Sequence, residues 1–174
     1  MAPSGRDERA WVRGAQAGSR SALEALYRAH WPRAYRAAYL VVHDAAGAED
    51  IAQEAFLAAV RALDRFDRRR PFGPWLHRIV VNRAIDWARA RSLRAEVEAD
   101  ESLPAVPDPR GGPQELVRAL ATLPPDQRAV IVLRHLLEYT PGEIATMLGL
   151  PRGTVNSRLR RGLDVLAVRL GDEQ

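Results

Sequence analysis

A proline-rich, acidic segment interrupts an otherwise helical pattern and divides the chain into two parts. Over residues 20–91, apolar side chains recur three and four positions apart, which is the spacing of amphipathic helices, and no strand-like alternation competes with it. Residues 92–113 then hold four prolines, five acids and few large apolar side chains, a composition typical of linkers. The helical spacing resumes afterwards. The pattern predicts an all-α chain with two small helical domains, 1–91 and 114–174, joined by a flexible acidic linker.

Every basic side chain is an arginine, because the sequence contains 26 basic residues and no lysine. The planar guanidinium group of arginine suits phosphates and base edges. Residues 1–91 hold 16 arginines against 10 acids, residues 92–113 hold 2 against 5, and residues 114–174 hold 8 against 7. The overall charge of +4 is by itself only a weak sign of nucleic-acid binding. The positions of the arginines are therefore more informative than their number.

Several classes of site are excluded or disfavoured by what the sequence lacks. It has no cysteine, which excludes disulfides, thiolate metal sites and cysteine nucleophiles. The N-terminal stretch MAPSGRDERAW lacks the apolar core of a signal peptide, and the longest apolar runs are too short to span a bilayer. We therefore expect a cytoplasmic protein with no membrane insertion. We also expect no metal, no cofactor and no catalytic residue, because the sequence lacks metal-ligand spacing and the motifs of phosphate loops and nucleophile elbows.

Apolar residues at helical spacing also predict which side chains form the two cores. The candidates are Trp31, Phe56, Trp75, Leu76, Ile79 and Trp87 in the first domain and Leu116, Leu120, Ile131, Leu133 and Leu136 in the second. Base stacking is an alternative role for Trp75 and Trp87, but their apolar neighbours favour packing in the core. At the helix starts, Ser21 followed by Glu24 is a capping-box pattern, and Pro71 is suited to open the next long helix.

The stretch 148–163, LGLPRGTVNSRLRRGL, has the turn of a helix-turn-helix followed by an arginine-rich helix. The motif needs a small residue, a residue that tolerates a left-handed backbone and an apolar anchor, and Ala145, Gly149 and Val155 supply them at spacings of four and six. Gly149 is free to adopt a positive φ, and Pro151 is pre-shaped for the first turn of the second helix. The sequence therefore predicts a helix-turn-helix.

The second helix of this motif has an apolar face and a polar face. At about 100° per residue, the apolar face consists of Val155, Leu159, Gly162, Leu163 and Leu166. The other positions carry groups suited to phosphates and base edges in a major groove. These positions are Arg152, Gly153, Thr154, Asn156, Ser157, Arg158, Arg160 and Arg161. We predict that this helix binds DNA; the alternative is a helical hairpin packed against protein.

With both halves in view, the chain from about residue 20 to 170 resembles the extracytoplasmic-function sigma factors, which keep the second and fourth conserved regions of the sigma-70 family. Five segments carry the resemblance, in the family's order: AEDIAQEAF, ALDRF, FGPWLHRIVVNRAIDWAR, LPPDQRAVIVLRH and YTPGEIATMLGLPRGTVNSRLRRGL. The resemblance implies that 1–91 is region 2 and 114–174 is region 4. It also implies an initiation factor without enzymatic activity, which binds core RNA polymerase, recognises the minus-thirty-five and minus-ten promoter elements and promotes DNA melting.

The resemblance further implies a role for three groups of residues. On the helix beginning near Ala48, the positions that face the coiled coil of the polymerase's largest subunit are Asp50, Gln53 and Glu54; an ordinary solvated helix face is the alternative. The surface for the minus-ten element corresponds to a basic loop, Phe66, Asp67, Arg68, Arg69 and Arg70, and to Asn82, Arg83, Asp86 and Arg89 on the next helix. The arginine-rich helix from Arg152 to Arg161 corresponds to the surface for the minus-thirty-five element.

Further partners implied by the family are promoter DNA, the flap of the polymerase's second-largest subunit and an anti-sigma factor. The segment 92–113 matches a tether that the family places in the RNA exit path, where an acidic strand suits a channel built for RNA; a merely flexible hydrophilic linker is the alternative. Asn156 and Pro151 depart from the family, in which a basic residue and an N-capping serine are usual. We therefore expect an altered promoter preference with docking retained.

Two other function classes compete with this interpretation. A stand-alone helix-turn-helix regulator would bind DNA without polymerase, but the N-terminal half lacks a receiver-type pattern of strands and a clustered acidic phosphorylation site. An enzyme with an accessory DNA-binding domain is disfavoured because no phosphate-loop or nucleophile-elbow motif is present. The spacing of the four histidines is also not that of metal ligands; they are His30, His43, His77 and His135.

Overall fold

The structure is a computed structural model that describes residues 5–98 and 114–171. Within these ranges the chain forms eight α-helices and no strand, which confirms the predicted all-α fold. The first four are α1 (Gly5–Gln16), α2 (Arg20–Val42), α3 (Ala45–Ala62) and α4 (Phe72–Glu98), with a 3₁₀ turn at Leu63–Arg65. The last four are α5 (Gln114–Ala121), α6 (Pro125–Ile131), α7 (Pro141–Leu148) and α8 (Arg152–Gly171), and α6 continues into a π-helical turn at Val132–Leu136.

Helix α2 is the centre of the first four helices and packs against α1, α3 and α4. Its side chain Leu26 is fully buried, as are Leu76 and Val80 of α4. Of the predicted core residues, Phe56 and Leu76 are buried. The others pack against the core while staying partly accessible, as large rings commonly do, and they are Trp31, Trp75, Ile79 and Trp87.

The start of α2 differs from the predicted capping box. The N-cap is Ser19, whose hydroxyl accepts a hydrogen bond from the backbone N–H of Ala22 at 3.3 Å. Gly18 adopts φ +85° and turns the chain there, so that the helix begins before Ser21. Glu24 consequently pairs with Arg28 one turn later. The prediction at Ser21 was therefore wrong by two residues, because the turn is set by the preceding glycine.

Helix α8 is the centre of the last four helices and packs against α5, α6 and α7. The predicted core residues Leu120, Ile131 and Leu133 are buried. Leu116 is 38 % exposed and Leu136 is half-buried, and both line an open apolar groove that reaches Leu163. The fully reciprocal capping box of this half lies at α7, where sequence analysis did not identify one: Thr140 and Glu143 each bond the other's backbone N–H.

Helix α4 extends further than the sequence pattern indicates. It continues to Glu98, so the first seven residues of the segment predicted as linker, 92–98, are helical. Serine, leucine, alanine and glutamate dominate this stretch, and all of them are compatible with a helix interior. The prolines of the segment come later, in 99–113, which lies outside the described residues.

The two halves pack against each other, with α2 and α4 contacting α5, α6 and the π-helical turn, and we refer to this as the closed arrangement. Arg128 of α6 is the most buried arginine of the described residues. Its guanidinium group donates to the carbonyl of Val41 at the end of α2, to the carbonyl of Leu123 at 2.9 Å and to Nδ1 of His43 at 3.1 Å. One buried cation therefore satisfies acceptors from both halves.

Two buried histidines complete this interface. Because arginine can only donate, Nδ1 of His43 accepts from Arg128 and Nε2 donates to the carbonyl of Val117 at 2.9 Å. Burial and the Arg128 charge lower the pKa of His43 to about 4. His77 of α4 bonds the hydroxyl of Tyr139 at 2.7 Å, and burial lowers the pKa of His77 to about 4 as well.

We expect the free energy of unfolding to fall as the pH decreases from 6.5 towards 4. Both histidines bind protons more weakly when folded (pKa about 4) than at their ordinary pKa of 6.5, so the stability they confer is present above pH 6.5 and is lost below it. Each should contribute a loss of roughly 2 kcal/mol between pH 7.5 and pH 5. Urea unfolding at the two pH values measures the difference.

The matched variant for this experiment is His43→Asn, since asparagine tolerates the left-handed backbone of that residue, where φ is 55°. It removes the titrating group facing Arg128 and leaves His77, which faces His30, Arg33, Glu8 and Tyr139. About half of the pH dependence should disappear. A pH dependence unchanged by the substitution would contradict the assignment to His43.

Candidate functional site

The predicted helix-turn-helix is present in α7 and α8. Helix α7 ends at Leu148, and Gly149 follows with φ +64°, the left-handed conformation that the motif requires there. Val155 is fully buried and Ala145 is half-buried, in agreement with their predicted roles as anchor and small residue. The backbone N–H groups of Thr154 and Val155 bond the carbonyl of Pro151, so the proline carbonyl starts the helix.

The polar face of α8 is largely open to solvent. Five of the eight predicted DNA-binding positions are exposed, namely Arg152, Gly153, Asn156, Arg160 and Arg161. Thr154 and Ser157 are half-buried. Arg158 differs because it is partly covered and forms an ion pair with Asp126 of α6 at 3.1 Å. On the apolar face Leu159 and Leu166 are buried, whereas Leu163 is 42 % exposed at the apolar groove.

The basic loop between the 3₁₀ turn and α4 presents three arginines, Arg68, Arg69 and Arg70, which are all exposed. Asp67 folds the loop back on itself, since its carboxylate accepts from the backbone N–H and from Nε of Arg69, both at 3.0 Å. The hydrogen bond from Arg69 lowers the pKa of Asp67. The carboxylate therefore stays charged and holds the turn while Arg68 and Arg70 remain open to solvent.

A cavity of about 600 Å³ opens beside this loop. Phe66 at its wall is buried and stacks on Trp75 with ring centroids 4.5 Å apart. Trp75 is half-buried and also lines the cavity, so both predicted roles for this ring are compatible with its position. Arg78 lines the cavity too and is exposed. Arg78 is not among the residues predicted for the minus-ten surface, although it precedes Asn82 by one helical turn.

The remaining predicted residues of the minus-ten surface lie along α4. Asn82 is half-buried, and Asp86 and Arg89, which follow it by four and seven residues on the same side of the helix, are exposed. Arg83 lies elsewhere and forms an ion pair with Glu54 of α3 at 2.8 Å. Trp87 packs over α3 and lies within cation–π distance of Arg91, which accords with its predicted packing role.

Helix α3 presents its three predicted polar residues to solvent. Asp50, Gln53 and Glu54 are all exposed, and the Gln53 amide donates to Glu49 at 3.3 Å. An apolar groove of about 540 Å³ between α2 and α3 begins at Gln53. Its exposed apolar side chains, which sequence analysis missed, are Tyr27, Leu57 and Val60. Leu57 and Val60 follow Gln53 by one and two helical turns. This spacing is the sequence pattern from which an apolar groove beside the predicted polar residues could have been predicted.

A single carboxylate connects the two predicted DNA-binding surfaces. Asp126 of α6 accepts from Nη2 of Arg89 at 2.6 Å with one oxygen, and its other oxygen lies 3.1 Å from Nη2 of Arg158. Arg89 belongs to the α4 surface and Arg158 to the α8 surface. In the closed arrangement both surfaces therefore meet at one acid, and α7 also contributes Thr146 and Met147 to the cavity beside the basic loop.

In the ranges 5–98 and 114–171, no cluster of three or more histidine, aspartate or glutamate side chains is arranged to hold a metal ion. Over the same part of the chain, no helix combines the length and the apolar character that a membrane crossing requires.

Comparisons with known proteins agree with the geometry. Residues 26–94 match the family described as Sigma-70 region 2, and residues 114–166 match the family described as Sigma-70, region 4. The chain is similar to the ECF RNA polymerase sigma factor SigW of Bacillus subtilis, with 33 % identity over 89 % of this chain and 92 % of the relative. It is also similar to SigM of Mycobacterium tuberculosis, with 35 % identity over 89 % and 80 % of the two chains.

A solved structure has a similar arrangement of helices. CnrH in complex with the cytosolic domain of CnrY superimposes with a TM-score of 0.72 and 28 % identity, over 97 % of this chain and 99 % of CnrH. The match covers both halves, so it extends to the helix-turn-helix and to the helices that carry the basic loop.

Proposed function

Because the chain belongs to the extracytoplasmic-function sigma factors of the sigma-70 family, we propose that it initiates transcription with core RNA polymerase, reading two promoter elements through its two basic surfaces. The observation that carries the proposal is the pairing of an open arginine face on α8 with a basic loop and cavity in the other half. We further propose that it works in the cytoplasm as a binding factor and catalyses no reaction itself.

The minus-thirty-five element is assigned to α8. Arg152, Arg160 and Arg161 are exposed and able to contact phosphates or guanine edges, and Ser157 is placed beside them. Val155 and Leu159 fix the helix from its other side. Asn156 is exposed where a basic residue is usual in the family, which supports an altered base preference at one position.

The minus-ten element is assigned to the basic loop and to α4. Melting requires an unpaired base to be held while the nearby backbone is neutralised. The cavity beside the loop offers a stacked pair of rings, Phe66 and Trp75, together with the guanidinium groups of Arg70 and Arg78. A flipped base would stack on the exposed part of Trp75, and the loop arginines would neutralise the adjoining phosphates.

Core polymerase is assigned to two surfaces. The acidic face of α3 with the neighbouring apolar groove offers charge and hydrophobic area to the coiled coil of the largest subunit. The groove lined by Leu116, Leu136 and Leu163 offers an apolar surface that the flap of the second-largest subunit would bind. The similar protein CnrH was solved in complex with another protein, the cytosolic domain of CnrY. We propose that surfaces of this chain are covered by an anti-sigma factor.

In the closed arrangement, the two proposed DNA-binding surfaces cannot contact both promoter elements at once. The names of the elements place them roughly 25 base pairs apart, which is about 85 Å of duplex at about 3.4 Å per base pair. Arg89 and Arg158 instead contact the same carboxylate, Asp126. We therefore propose that the two halves separate when the factor joins polymerase, which exposes Arg158 and the wall of the cavity covered by α7.

The test of the function is in vitro transcription with purified core polymerase and a pool of promoters. The proposal expects the protein to stimulate a defined subset that shares two spaced elements, and to bind promoter duplex only weakly without polymerase. A gel shift with nanomolar, sequence-specific binding by the protein alone, without stimulation of transcription, would identify a stand-alone regulator instead.

Substitutions on the polar face of α8 should weaken recognition of the minus-thirty-five element. The double substitution Arg161→Ala and Ser157→Ala should weaken initiation by the equivalent of about 1 to 3 kcal/mol on promoters with an intact minus-thirty-five element. Arg169→Ala, two turns further along the same helix, is the control. Initiation is measured on promoters with an intact or a scrambled element. An equal loss on both would mean that α8 does not read it.

A further inference from the structure

Helix α1 lies outside the residues that match region 2, yet it contacts both ends of the basic loop. The matched segment begins at residue 26, whereas α1 spans Gly5–Gln16. At one end of the loop, the side-chain amide of Gln16 donates to the carbonyls of Leu63 and Phe66, both at 3.0 Å. The Leu63 carbonyl also accepts from the backbone N–H of Phe66 and closes the 3₁₀ turn from which the loop departs, so Gln16 fixes where the loop begins.

The other end of the loop is held by Glu8 of the same helix. Its carboxylate accepts from the backbone N–H groups of Phe72 and Gly73, at 3.2 and 3.3 Å, in the first turn of α4. Such N–H groups have no partner within their helix, and a carboxylate there is favoured by the helix dipole. Burial acts to raise the pKa of Glu8, but the adjoining His30 and the two N–H groups outweigh it and lower the pKa.

The packing around Glu8 leaves little freedom. The side chains of Glu8 and His30 are 12 % and 8 % exposed, and His30 Nε2 lies 3.0 Å from the carboxylate. A Cβ at Gly73 would lie 3.2 Å from the His30 ring, so the glycine permits this close approach. Glu8 is therefore held between α2 and the start of α4.

We propose that α1 is a positioning element for the basic loop, with Gln16 and Glu8 as its two positioning residues. The inference rests on the proposed role of that loop in minus-ten recognition. Between its two ends, the loop is held by hydrogen bonds from Arg69 and Arg70 to Asp67. With its ends fixed by α1, the loop presents its arginines and the adjoining cavity in one geometry, which reduces the entropy lost when DNA binds.

The test compares Gln16→Leu with Arg13→Leu, an exposed position on the same helix. Initiation is measured with core polymerase on promoters in which either the minus-ten or the minus-thirty-five element is intact or scrambled. For Gln16→Leu we expect roughly tenfold weaker discrimination of the minus-ten element and unchanged discrimination of the minus-thirty-five element. Arg13→Leu should leave both unchanged. Loss of both discriminations together, or of neither, would overturn the inference.

A second variant and a second measurement guard against a folding defect. Glu8→Gln keeps the shape of the side chain but removes its charge, and hydrogen exchange in the full chain should become faster at the amides of Phe72 and Gly73. Unchanged exchange there contradicts the role of Glu8. The triple substitution of Arg68, Arg69 and Arg70 by alanine tests the loop itself. If the triple variant still discriminates the minus-ten element, the proposed function of the loop fails; if only Gln16→Leu still discriminates it, the inference about α1 fails alone.

Discussion

Replacing Asp50 and Gln53 together by arginine should weaken association with core polymerase by on the order of 100-fold, or about 3 kcal/mol. The double substitution raises the net charge of the α3 face by three while leaving the Glu54–Arg83 ion pair in place. Both side chains are exposed, and arginine is a good helix former, so the fold should be retained. Competition against another sigma factor for limiting core enzyme measures the change.

The matched control places the same change in charge elsewhere on the chain. Asp164→Arg with Thr122→Arg also adds three charges at exposed positions, on α8 and after α5, away from α3. This variant should compete as the unaltered protein does. If both variants lose affinity equally, net charge and not the α3 face governs association. If the α3 variant competes normally, that face is not the docking surface. Circular dichroism of each variant shows whether a loss of affinity is caused by misfolding.

Local pattern was sufficient to predict the helix-turn-helix and the faces of α8. The spacing of Ala145, Gly149 and Val155 depends only on neighbours within one motif, and the observed φ of Gly149 and the burial of Val155 agree with it. The capping error at Ser21 was also local. Two serines compete within three residues, and the choice depended on the backbone conformation of Gly18, which no side-chain pattern reports.

The closed arrangement depends on contacts that no local pattern carries. Arg128 in a segment rich in polar residues is expected on the surface, yet its partners at Val41 and His43 lie 87 and 85 positions away in sequence. Asp126 and Arg89 are also far apart in the sequence, and so are Gln16 and the two residues whose carbonyls it bonds, Leu63 and Phe66. The arginines that we propose bind DNA could be assigned to their helices and loop from the sequence alone. The sequence does not reveal that Asp126 pairs with two of these arginines, Arg89 and Arg158, at once, because this follows only from the way the two halves pack.

A crosslink that holds the halves together should abolish initiation. The sequence has no cysteine, so Arg33→Cys with Glu138→Cys gives two unique thiols on opposite sides of the interface. The two side chains approach to 3.6 Å and are exposed, and neither belongs to a proposed DNA or polymerase surface. A short bis-maleimide should link them without opening the closed arrangement. The linked protein would then be unable to span about 85 Å of promoter.

Initiation from the selected promoters should fall at least tenfold on linking, while the thermal unfolding temperature stays the same or rises, because the linked closed state is still folded. The same double variant capped with a monofunctional maleimide carries the two substitutions and the added groups without the tether, and it should remain active. The two single variants control for the left-handed backbone at residue 138, where φ is 64°. Full initiation by the linked protein would show that the halves need not separate, and that the Asp126 bridge does not restrict promoter recognition.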